Sequence, residues 1–319
     1  MKVLIAGGFG YLGARIAAHL CRQSGYHVAL GTRTVRPLPQ WLPTGTVSVL
    51  NWASTSTLEE ACSDVDVIIH CAGMNAQECG KDPVAALEFN GVATGRLVQA
   101  AIRKGVRRFF YFSTAHVYGS PLDGSIVEED CPRNLHPYAT SHLAGEQILL
   151  AAVASGKLEG AVLRLSNAFG APMEADTNCW MLLINDLCRQ AVMHGRLTLH
   201  SSGMQLRDFI TIEDVCMVLQ KYLQCAAGDL PDLLNLGSGK ARSVFDMASL
   251  IQQRCVTSLG FEPVLQRPSP RPGEQTGNLD FRIDRLTNSV GVLPNNDVAE
   301  IDQLLAFCKG NFSVAPIGL

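Results

Sequence analysis

The sequence predicts an α/β protein in which a doubly wound parallel sheet carries a second, smaller α/β lobe. Three observations lead to this fold class. Short apolar segments alternate with helical segments through the first half of the 319-residue chain, a glycine-rich turn follows the first apolar segment, and the alternation loosens after residue 166. Alternating strands and helices favour an open parallel sheet that is covered by helices on both faces.

Each predicted strand is a short apolar run, which is typical of a parallel strand buried on both faces. The first run is VLIA at residues 3–6, and the segment after the glycines places Leu12, Ile16 and Leu20 on one face of a helix. The same alternation continues to residue 165. The predicted strands are 3–6, 27–30, 47–50, 65–70, 109–113 and 160–165, and the predicted helices are 11–22, 57–62, 83–104 and 138–155.

The second half of the chain has shorter elements. Segments rich in glycine, proline and polar residues at 171–178 and 266–278 predict loops between them, and further strands are expected near 208–210 and 233–236. We therefore predict two domains. The sheet domain comprises residues 1–165 and about 206–250, and the smaller lobe comprises about 166–205 and 251–319.

The composition is that of a folded chain with a nearly neutral charge. Hydrophobic residues make up 47% of the sequence, which supports a sizeable core and excludes intrinsic disorder. With 26 Lys and Arg against 29 Asp and Glu, the net charge of -3 is too near neutral to indicate a surface adapted to nucleic acid or to an anionic membrane. Any anionic ligand must therefore be held by local groups.

The eleven cysteines form neither a disulfide framework nor a metal-binding pattern. They include no C-x-x-C pair, and Cys62, Cys188 and Cys216 lie within apolar segments, so we interpret them as small core residues in a reducing compartment. The run at 3–6 is too short for a signal peptide, and the run at 148–154 is too short for a membrane span. We predict a cytoplasmic protein without a metal site.

A glycine triplet with the spacing G-x-x-G-x-x-G, formed by Gly7, Gly10 and Gly13, joins the first strand to the first helix. Glycine allows the tight turn, lets the backbone approach a pyrophosphate, and lets the helix pack closely on the sheet. The N–H groups and partial positive charge of the helix N-terminus favour phosphate binding. Because the triplet follows a strand and opens a helix, it predicts dinucleotide binding rather than an ordinary turn. The other residues of this turn that we assign to the cofactor are Phe9, Tyr11 and Leu12.

The end of the second strand distinguishes NAD from NADP. An acidic residue there accepts hydrogen bonds from the ribose hydroxyls, whereas an arginine accommodates a 2′-phosphate. The chain has Thr32 and Arg33 at this point and no acidic residue. We therefore predict NADP as the cofactor, with NAD as the alternative if Arg33 is only a solvated loop residue.

Short motifs recur in a fixed order over nearly the whole chain. They are GGFGYLG at 7–13, IHCAG at 69–73, EFNGV at 88–92, STAHVYG at 113–119, RLSNAFG at 164–170, RDFI at 207–210, NLGSG at 235–239 and RPGE at 271–274. In this order the sequence resembles the extended short-chain dehydrogenase/reductase family, in its branch of NAD(P)-dependent sugar-nucleotide epimerases, dehydratases and reductases. The resemblance implies cofactor contacts at Ala72 and Asn90. It also implies contacts beside the adenine at Asn51 and Trp52, where the family commonly has an aspartate and an apolar residue.

The resemblance also implies a catalytic group. In the family a tyrosine acts as acid or base, a serine or threonine shares its proton, and a lysine four residues after the tyrosine lies on the same helix face. The matching residues are Tyr138 and Thr114, but His142 occupies the lysine position. A cation lowers the pKa of a tyrosine from ~10, whereas a histidine with a reference pKa of ~6.5 is mostly neutral at pH 7. His142 therefore either serves an altered enzyme through a hydrogen bond to the ribose or only packs in a catalytically degenerate binding protein.

On the substrate side, the resemblance implies that Asn167, Arg207 and Arg271 hold a nucleotide diphosphate. Arginine suits this role because its planar guanidinium makes bidentate bonds to phosphate oxygens. Arg207 has an alternative use as the partner of Asp208 or Asp214 in a structural ion pair.

We expect an NAD(P)-dependent oxidoreductase or epimerase that acts on a nucleotide-diphosphate sugar, with keto-sugar reduction favoured because NADP(H) suits net reduction. Ala115 and His116 stand where the usual dehydratase pattern has Asp-Glu, which argues against dehydration. The alternatives are a cofactor-binding sensor or scaffold and a reductase of a non-nucleotide carbonyl, and the two candidate arginines argue against the latter. The family also implies a homodimer formed through the helices at 83–104 and 138–155.

Overall fold

The computed structural model describes residues 1–226, 228, 230–274 and 276–313. The strands are β1 (Lys2–Ala6), β2 (His27–Thr32), β3 (Thr46–Val49), β4 (Val67–His70), β5 (Arg108–Thr114), β6 (Gly124–Ile126), β7 (Glu159–Leu165), β8 (Asn167–Phe169), β9 (Arg196–Thr198), β10 (Leu206–Thr211), β11 (Leu233–Leu236), β12 (Ala241–Ser243), β13 (Val264–Gln266) and β14 (Leu279–Phe281). The α-helices are α1 (Tyr11–Cys21), α2 (Thr55–Ala61), α3 (Ala76–Lys81), α4 (Pro83–Ala86), α5 (Thr94–Arg103), α6 (Pro137–Ala154), α7 (Leu183–His194), α8 (Ile212–Gln224), α9 (Val244–Leu259), α10 (Asp284–Val290) and α11 (Asp297–Phe312). Within these described ranges, none of the helices has the combination of length and apolar character that a membrane span requires.

The central sheet has seven parallel strands in the order β11-β7-β5-β4-β1-β2-β3. Its two faces are both buried: Ile5 and Phe110 belong to the core on one face, and Leu4 and Phe109 belong to the core on the other. Burial on both faces explains why these strands read as continuous apolar runs. The strand order confirms the predicted doubly wound fold and leaves a crevice where the order reverses, between the carboxyl ends of β1 and β4.

Two predicted elements differ from the observed ones. Residues 208–210 lie in β10, which pairs with β8 and β12 in a separate three-stranded sheet rather than in the central sheet. A short apolar run predicts a strand but does not identify its partner. The predicted helix 83–104 is divided into α4, a π-helical segment Leu87–Ala93, and α5. A Cβ on Gly91 would lie 3.1 Å from the Cβ of Ala144, so the missing side chain lets α6 pack closely on this segment.

A second core lies in the smaller lobe, where α7, α9 and α11 pack together around buried residues such as Leu187, Ile251 and Leu304. By contrast, α10 packs against α8 and β11, and its Leu286 belongs to a core of the central sheet. The division of the chain into two domains at the boundaries given above stays a prediction.

Most of the cysteines are core residues. All eleven are free, and seven are buried. Burial raises the pKa of the Cys62 thiol to about 12 and keeps it protonated at neutral pH, which makes it a poor nucleophile and metal ligand.

Candidate active site

A cleft of about 840 Å³ opens beside the carboxyl ends of the central strands and reaches the segment that follows β8. Its walls include the turn before α1, the end of β5, the first turns of α6 and residues of β8 and β10. Ten of the residues selected from the sequence line this cleft: Phe9, Gly10, Tyr11, Leu12, Arg33, Thr114, Tyr138, His142, Asn167 and Arg207. The fold therefore brings residues from distant parts of the chain to one site.

The glycine turn at the end of β1 has no room for side chains. Gly7 has a φ of 85°, and a Cβ there would lie 2.8 Å from the backbone nitrogen of Ala72. A Cβ on Gly13 would lie 2.3 Å from the carbonyl oxygen of Gly7. In the described part of the chain, no side chain caps the N-terminus of α1, where Gly10 is the N-cap residue. This narrow turn and the uncapped helix fit the pyrophosphate of a dinucleotide.

Two arginines follow β2 at the rim of the cleft. Arg33 and Arg36 are exposed and line it, and the guanidinium carbon of Arg36 lies 4.5 Å from the centre of the Phe9 ring. Neither arginine has a salt bridge with any described residue. Thr32 accepts a hydrogen bond from the N–H of Thr34 over 3.4 Å. Sequence reasoning missed Arg36, although a second arginine three residues after Arg33 was a visible signal.

Asn90 does not face the cleft, because it is fully buried and its amide is used within the protein. Its side-chain oxygen accepts a hydrogen bond from the N–H of Met74 over 2.8 Å, and its nitrogen donates to the hydroxyl of Ser141 over 3.0 Å. Asn90 therefore ties the segment after β4, which includes Ala72, to α6. Its direct contact with a cofactor stays a prediction.

The two residues assigned to the adenine lie outside the cleft lining. Asn51 is exposed, and its side-chain oxygen accepts a hydrogen bond from the N–H of Ala53 over 3.1 Å. The Trp52 ring packs against His70 and Phe89, with ring centres 5.7 and 5.4 Å apart. The assignment of these residues to the adenine also stays a prediction.

The three residues of the predicted catalytic group meet at one end of the cleft. Thr114 ends β5 and is 4% exposed, Tyr138 lies in the first turn of α6, and His142 lies one turn later. The rings of Tyr138 and His142 meet edge to face with their centres 4.7 Å apart. The Nδ1 atom of His136 accepts a hydrogen bond from the N–H of Tyr138 over 3.2 Å, which caps α6 at this point.

The electrostatics of this group differ from those of a tyrosine paired with a lysine. Burial lowers the pKa of His142 to about 4, so its imidazole is neutral at pH 7. Burial also raises the pKa of Tyr138, and the Thr114 hydroxyl only partly opposes this rise. Within the described structure, the groups that shift the Tyr138 pKa include no cation. The phenol therefore stays protonated at neutral pH.

A buried ion pair fixes the helix that carries the catalytic residues. Glu146 of α6 is fully buried and accepts hydrogen bonds from Arg164 of β7 over 2.7 Å and from the hydroxyl of Ser113. The Arg164 guanidinium carbon also lies 4.7 Å from the centre of the Tyr118 ring. These contacts join α6 to β5 and β7 and set the position of Tyr138. The sequence motifs contain Ser113, Tyr118 and Arg164, but they did not reveal the pairing of Arg164 with Glu146.

On the substrate side, Arg207 is a partly buried cation in the cleft with no carboxylate partner in the described chain. It pairs with neither Asp208 nor Asp214; the Asp208 carboxylate instead accepts a hydrogen bond from Ser166 over 2.6 Å. Asn167 donates to the carbonyl of Asp208 over 2.9 Å, which places it beside Arg207. An unpaired guanidinium of this kind is suited to an anionic ligand.

Arg271 lies outside the cleft lining in an exposed loop. Its backbone N–H donates to Glu274 over 2.8 Å, and the Glu274 carboxylate also accepts a hydrogen bond from Ser202. The structure thus does not bring Arg271 together with Arg207, and its substrate role stays a prediction.

Sequence reasoning also missed three carboxylates that line the cleft, Glu78, Glu174 and Asp176. The indole N–H of Trp41 donates to Glu174 over 3.0 Å, which joins the loop after β2 to the segment after β8. The sequence showed this segment only as a break between elements, because its glycine and proline content predicts a loop without predicting what the loop faces.

The strand order and the glycine turn at the end of β1 define a dinucleotide-binding protein of the Rossmann type. A sequence profile described as the NAD dependent epimerase/dehydratase family matches residues 3–237, and the chain belongs to this family. The predicted resemblance is confirmed, and the protein is an enzyme of the NAD-dependent sugar-nucleotide epimerase/dehydratase type.

Several named proteins are similar along nearly the whole chain. UDP-glucose 4-epimerase of Azospirillum brasilense is 26% identical, over 93% of this chain and 88% of its own length. The dTDP-6-deoxy-L-talose 4-dehydrogenase (NAD(P)(+)) of Kitasatospora kifunensis is 25% identical, over 94% of this chain and 92% of its own. The structure of MoeE5 in complex with UDP-glucuronic acid and NAD superposes with a TM-score of 0.79 at 25% identity, and the match covers 97% of this chain and 99% of MoeE5.

Proposed function

We propose that the protein reduces a keto group of a nucleotide-diphosphate sugar with NADP(H). Tyr138 donates the proton, Thr114 binds the same substrate oxygen, and His142 binds the cofactor ribose. The similar proteins are named for chemistry on UDP- and dTDP-sugars, and one of them is named as an NAD(P)(+)-dependent dehydrogenase. These names support the substrate class and the type of reaction.

The observation that carries the proposal is the burial of Tyr138 against the His142 ring, whose centre lies 4.7 Å away, with no cation of the described chain among the groups that shift the Tyr138 pKa. Reduction of a carbonyl requires an acid that gives a proton to the new hydroxyl group, whereas oxidation of an alcohol requires a base that takes one. Because burial raises the pKa of Tyr138 and His142 is neutral, the phenol is in the acid form at pH 7. This form favours reduction over the proton abstraction that begins an epimerisation.

The remaining residues hold the two ligands. The glycine turn and the N-terminus of α1 bind the cofactor pyrophosphate, and Arg33 and Arg36 bind the 2′-phosphate that distinguishes NADP from NAD. The bound cofactor supplies the hydride. Arg207 and Asn167 bind the substrate diphosphate, with Arg271 as a second arginine, and the unpaired charge of Arg207 favours a nucleotide sugar over a neutral carbonyl compound.

We further propose a homodimer that forms through the outer faces of the π-helical segment, α5 and α6. Leu87 and Val92 are 49% and 43% exposed on this surface. Exposed apolar side chains on these helices support the proposal, because homodimer interfaces are more apolar than the rest of a protein surface.

The proposal is tested by steady-state turnover with NADPH and NADH on a panel of UDP- and dTDP-linked 4-keto sugars. We expect NADPH to be preferred over NADH. Arg33→Ala and Arg36→Ala should each weaken NADPH binding by about tenfold or more, because each removes a charged hydrogen bond, and should have little effect on NADH binding. Arg22→Ala, at an exposed arginine outside the cleft lining, is the matched control.

Two results would overturn parts of this proposal. A preference for NADH that is insensitive to Arg33→Ala contradicts the NADP assignment. Tight cofactor binding without turnover of any keto sugar, followed by hydride transfer in His142→Lys, identifies the natural chain as a cofactor-binding protein that has lost catalysis.

A further inference from the structure

A stack of three buried aromatic rings lies beneath the catalytic end of the cleft. His70, Tyr111 and His142 are 1%, 1% and 5% exposed. The ring centres of His70 and Tyr111 lie 5.2 Å apart, those of Tyr111 and His142 lie 5.9 Å apart, and both pairs are nearly parallel. His70 is itself held by Thr94, whose hydroxyl lies 2.8 Å from its Nε2 atom. The stack therefore fixes the plane of the Tyr111 ring and the direction of its hydroxyl.

The Tyr111 hydroxyl is aimed at one nitrogen of the His142 ring. It lies 2.9 Å from Nδ1 of His142, whereas the nearest carbonyl, that of Asn90, lies 3.5 Å away. The close approach depends on Gly145 of the same helix, because a Cβ there would lie 2.9 Å from the Tyr111 hydroxyl oxygen. A missing side chain on α6 thus makes room for this contact.

A neutral imidazole has a single N–H, so its surroundings decide which nitrogen carries it. Burial lowers the pKa of His142 to about 4, and the ring therefore carries one proton at neutral pH. The Tyr111 O–H has its better acceptor in Nδ1, since 2.9 Å is an ordinary hydrogen-bond length and 3.5 Å is not. With the Tyr111 hydroxyl as the donor, Nδ1 is the acceptor and the single proton of the ring is on Nε2. A Cβ on Gly73, which lines the cleft, would lie 3.5 Å from Nε2.

We infer that Tyr111 is a positioning residue that holds His142 in the tautomer with the proton on Nε2, so that His142 presents a neutral N–H donor to the cofactor side of the cleft. This inference rests on the proposed function only for the identity of the acceptor, a ribose hydroxyl of the cofactor. The arrangement keeps the hydrogen bond that the family's lysine makes, but it does not supply the lysine's charge. A lysine at position 142 would need no such partner, because an ammonium group has no tautomers.

The tautomer is measured directly by ¹⁵N NMR of the full chain labelled in the histidine rings and without added ligand. His142→Gln identifies the resonances, and the couplings of the ring nitrogens to the ring protons show which nitrogen is protonated. The inference predicts a protonated Nε2 and an Nδ1 that accepts a hydrogen bond, and it predicts that Tyr111→Phe moves the Nδ1 resonance. A proton on Nδ1 in the natural chain, or an Nδ1 resonance that is unchanged in Tyr111→Phe, overturns it.

Affinity for NADPH provides the functional measurement. Tyr111→Phe should weaken NADPH binding about three- to tenfold, because an effect of this size corresponds to one neutral hydrogen bond. Gly145→Ala should weaken NADPH binding by a similar factor, because the new Cβ displaces the Tyr111 hydroxyl. Tyr222→Phe is the matched control, because Tyr222 is also fully buried but lies outside the cleft lining. An NADPH affinity that is unchanged in Tyr111→Phe contradicts the donor role. Failure of the natural chain to bind NADPH contradicts the proposed function instead, and the NMR measurement still decides the tautomer.

Discussion

Replacing His142 by lysine should convert the acid–base chemistry of Tyr138 towards that of a tyrosine–lysine pair. The two rings now meet with their centres 4.7 Å apart, and the neutral imidazole leaves the pKa of Tyr138 above its ordinary range. A lysine at this position places an ammonium group about 5 Å from the phenol oxygen, since it lies on the same helix face one turn away.

The expected shift follows from the interaction of two unit charges. At an effective dielectric constant of ~20, charges ~5 Å apart attract each other by ~3 kcal/mol, which corresponds to ~2 pKa units. The attraction stabilises the phenolate, so the pKa of Tyr138 should fall by about this amount in His142→Lys. Burial lowers the pKa of the lysine as well, and the two groups therefore titrate as a coupled pair.

The shift can be measured without a substrate, by ¹³C NMR of tyrosine labelled at the phenol carbon during a pH titration. Tyr138→Phe identifies the resonance, and His142→Gln is the control that changes the ring without adding charge. We expect the natural chain and the glutamine variant to titrate above ~10 and the lysine variant ~2 units lower. The reasoning is refuted if Tyr138 of the natural chain titrates below the ordinary range, or if lysine shifts it no further than glutamine does.

Three further substitutions test the glycine turn, the substrate site and the buried Glu146–Arg164 ion pair that fixes α6. Gly13→Ala places a Cβ 2.3 Å from a carbonyl oxygen of its own turn and should raise the dissociation constant of NADPH by ~10-fold or more, measured by fluorescence titration. Gly310→Ala, for which no atom of the described residues lies within 4 Å of the new Cβ, should not, and equal effects would contradict the role of the glycine turn in cofactor binding. Arg207→Gln should raise KM for the sugar nucleotide ~10- to 100-fold and leave NADPH affinity unchanged, whereas an unchanged KM removes Arg207 from the substrate site. Glu146→Gln should lower the free energy of unfolding by ~3–5 kcal/mol in urea because it leaves a buried arginine unpaired. Glu59→Gln, in a partly exposed ion pair, should cost less than ~1 kcal/mol, and a similarly small loss at Glu146 would show that the buried pair does not anchor α6.

The fold and the cofactor turn were predictable because their signals are local in sequence. A strand buried on both faces is apolar along most of its length, and this pattern identified β1, β2, β4, β5 and β7, whereas the edge strand β3 is only partly buried. Gly7 and Gly13 meet backbone atoms that leave no space for a Cβ, so the turn could be predicted from the glycine spacing and its position between a strand and a helix. Tyr138, Thr114 and His142 followed from motif positions, and the structure brings them together in the cleft.

The features that the sequence did not reveal depend on contacts between distant residues. Tyr111 and His142 are 31 positions apart, and nothing in the FYFST run of β5 indicates that its tyrosine faces a histidine of α6. The Glu146–Arg164 pair and the strand partners of β10 are also set by packing between elements. Arg271 was predicted to bind the substrate from its motif position; it lies in an exposed loop outside the cleft lining, and its role stays a prediction.

Tyr138 is proposed to donate the proton during reduction of a sugar-nucleotide carbonyl. The most direct test of this role measures the rate at which deuterium passes from labelled NADPH to a 4-keto sugar nucleotide in a single turnover. Because the raised pKa keeps the phenol protonated, the transfer rate should be constant between about pH 6 and 9, should fall only at higher pH, and should be lost in Tyr138→Phe. A transfer rate that rises with pH over this range would show that the phenolate is the active form. Transfer that persists in Tyr138→Phe would show that another group supplies the proton.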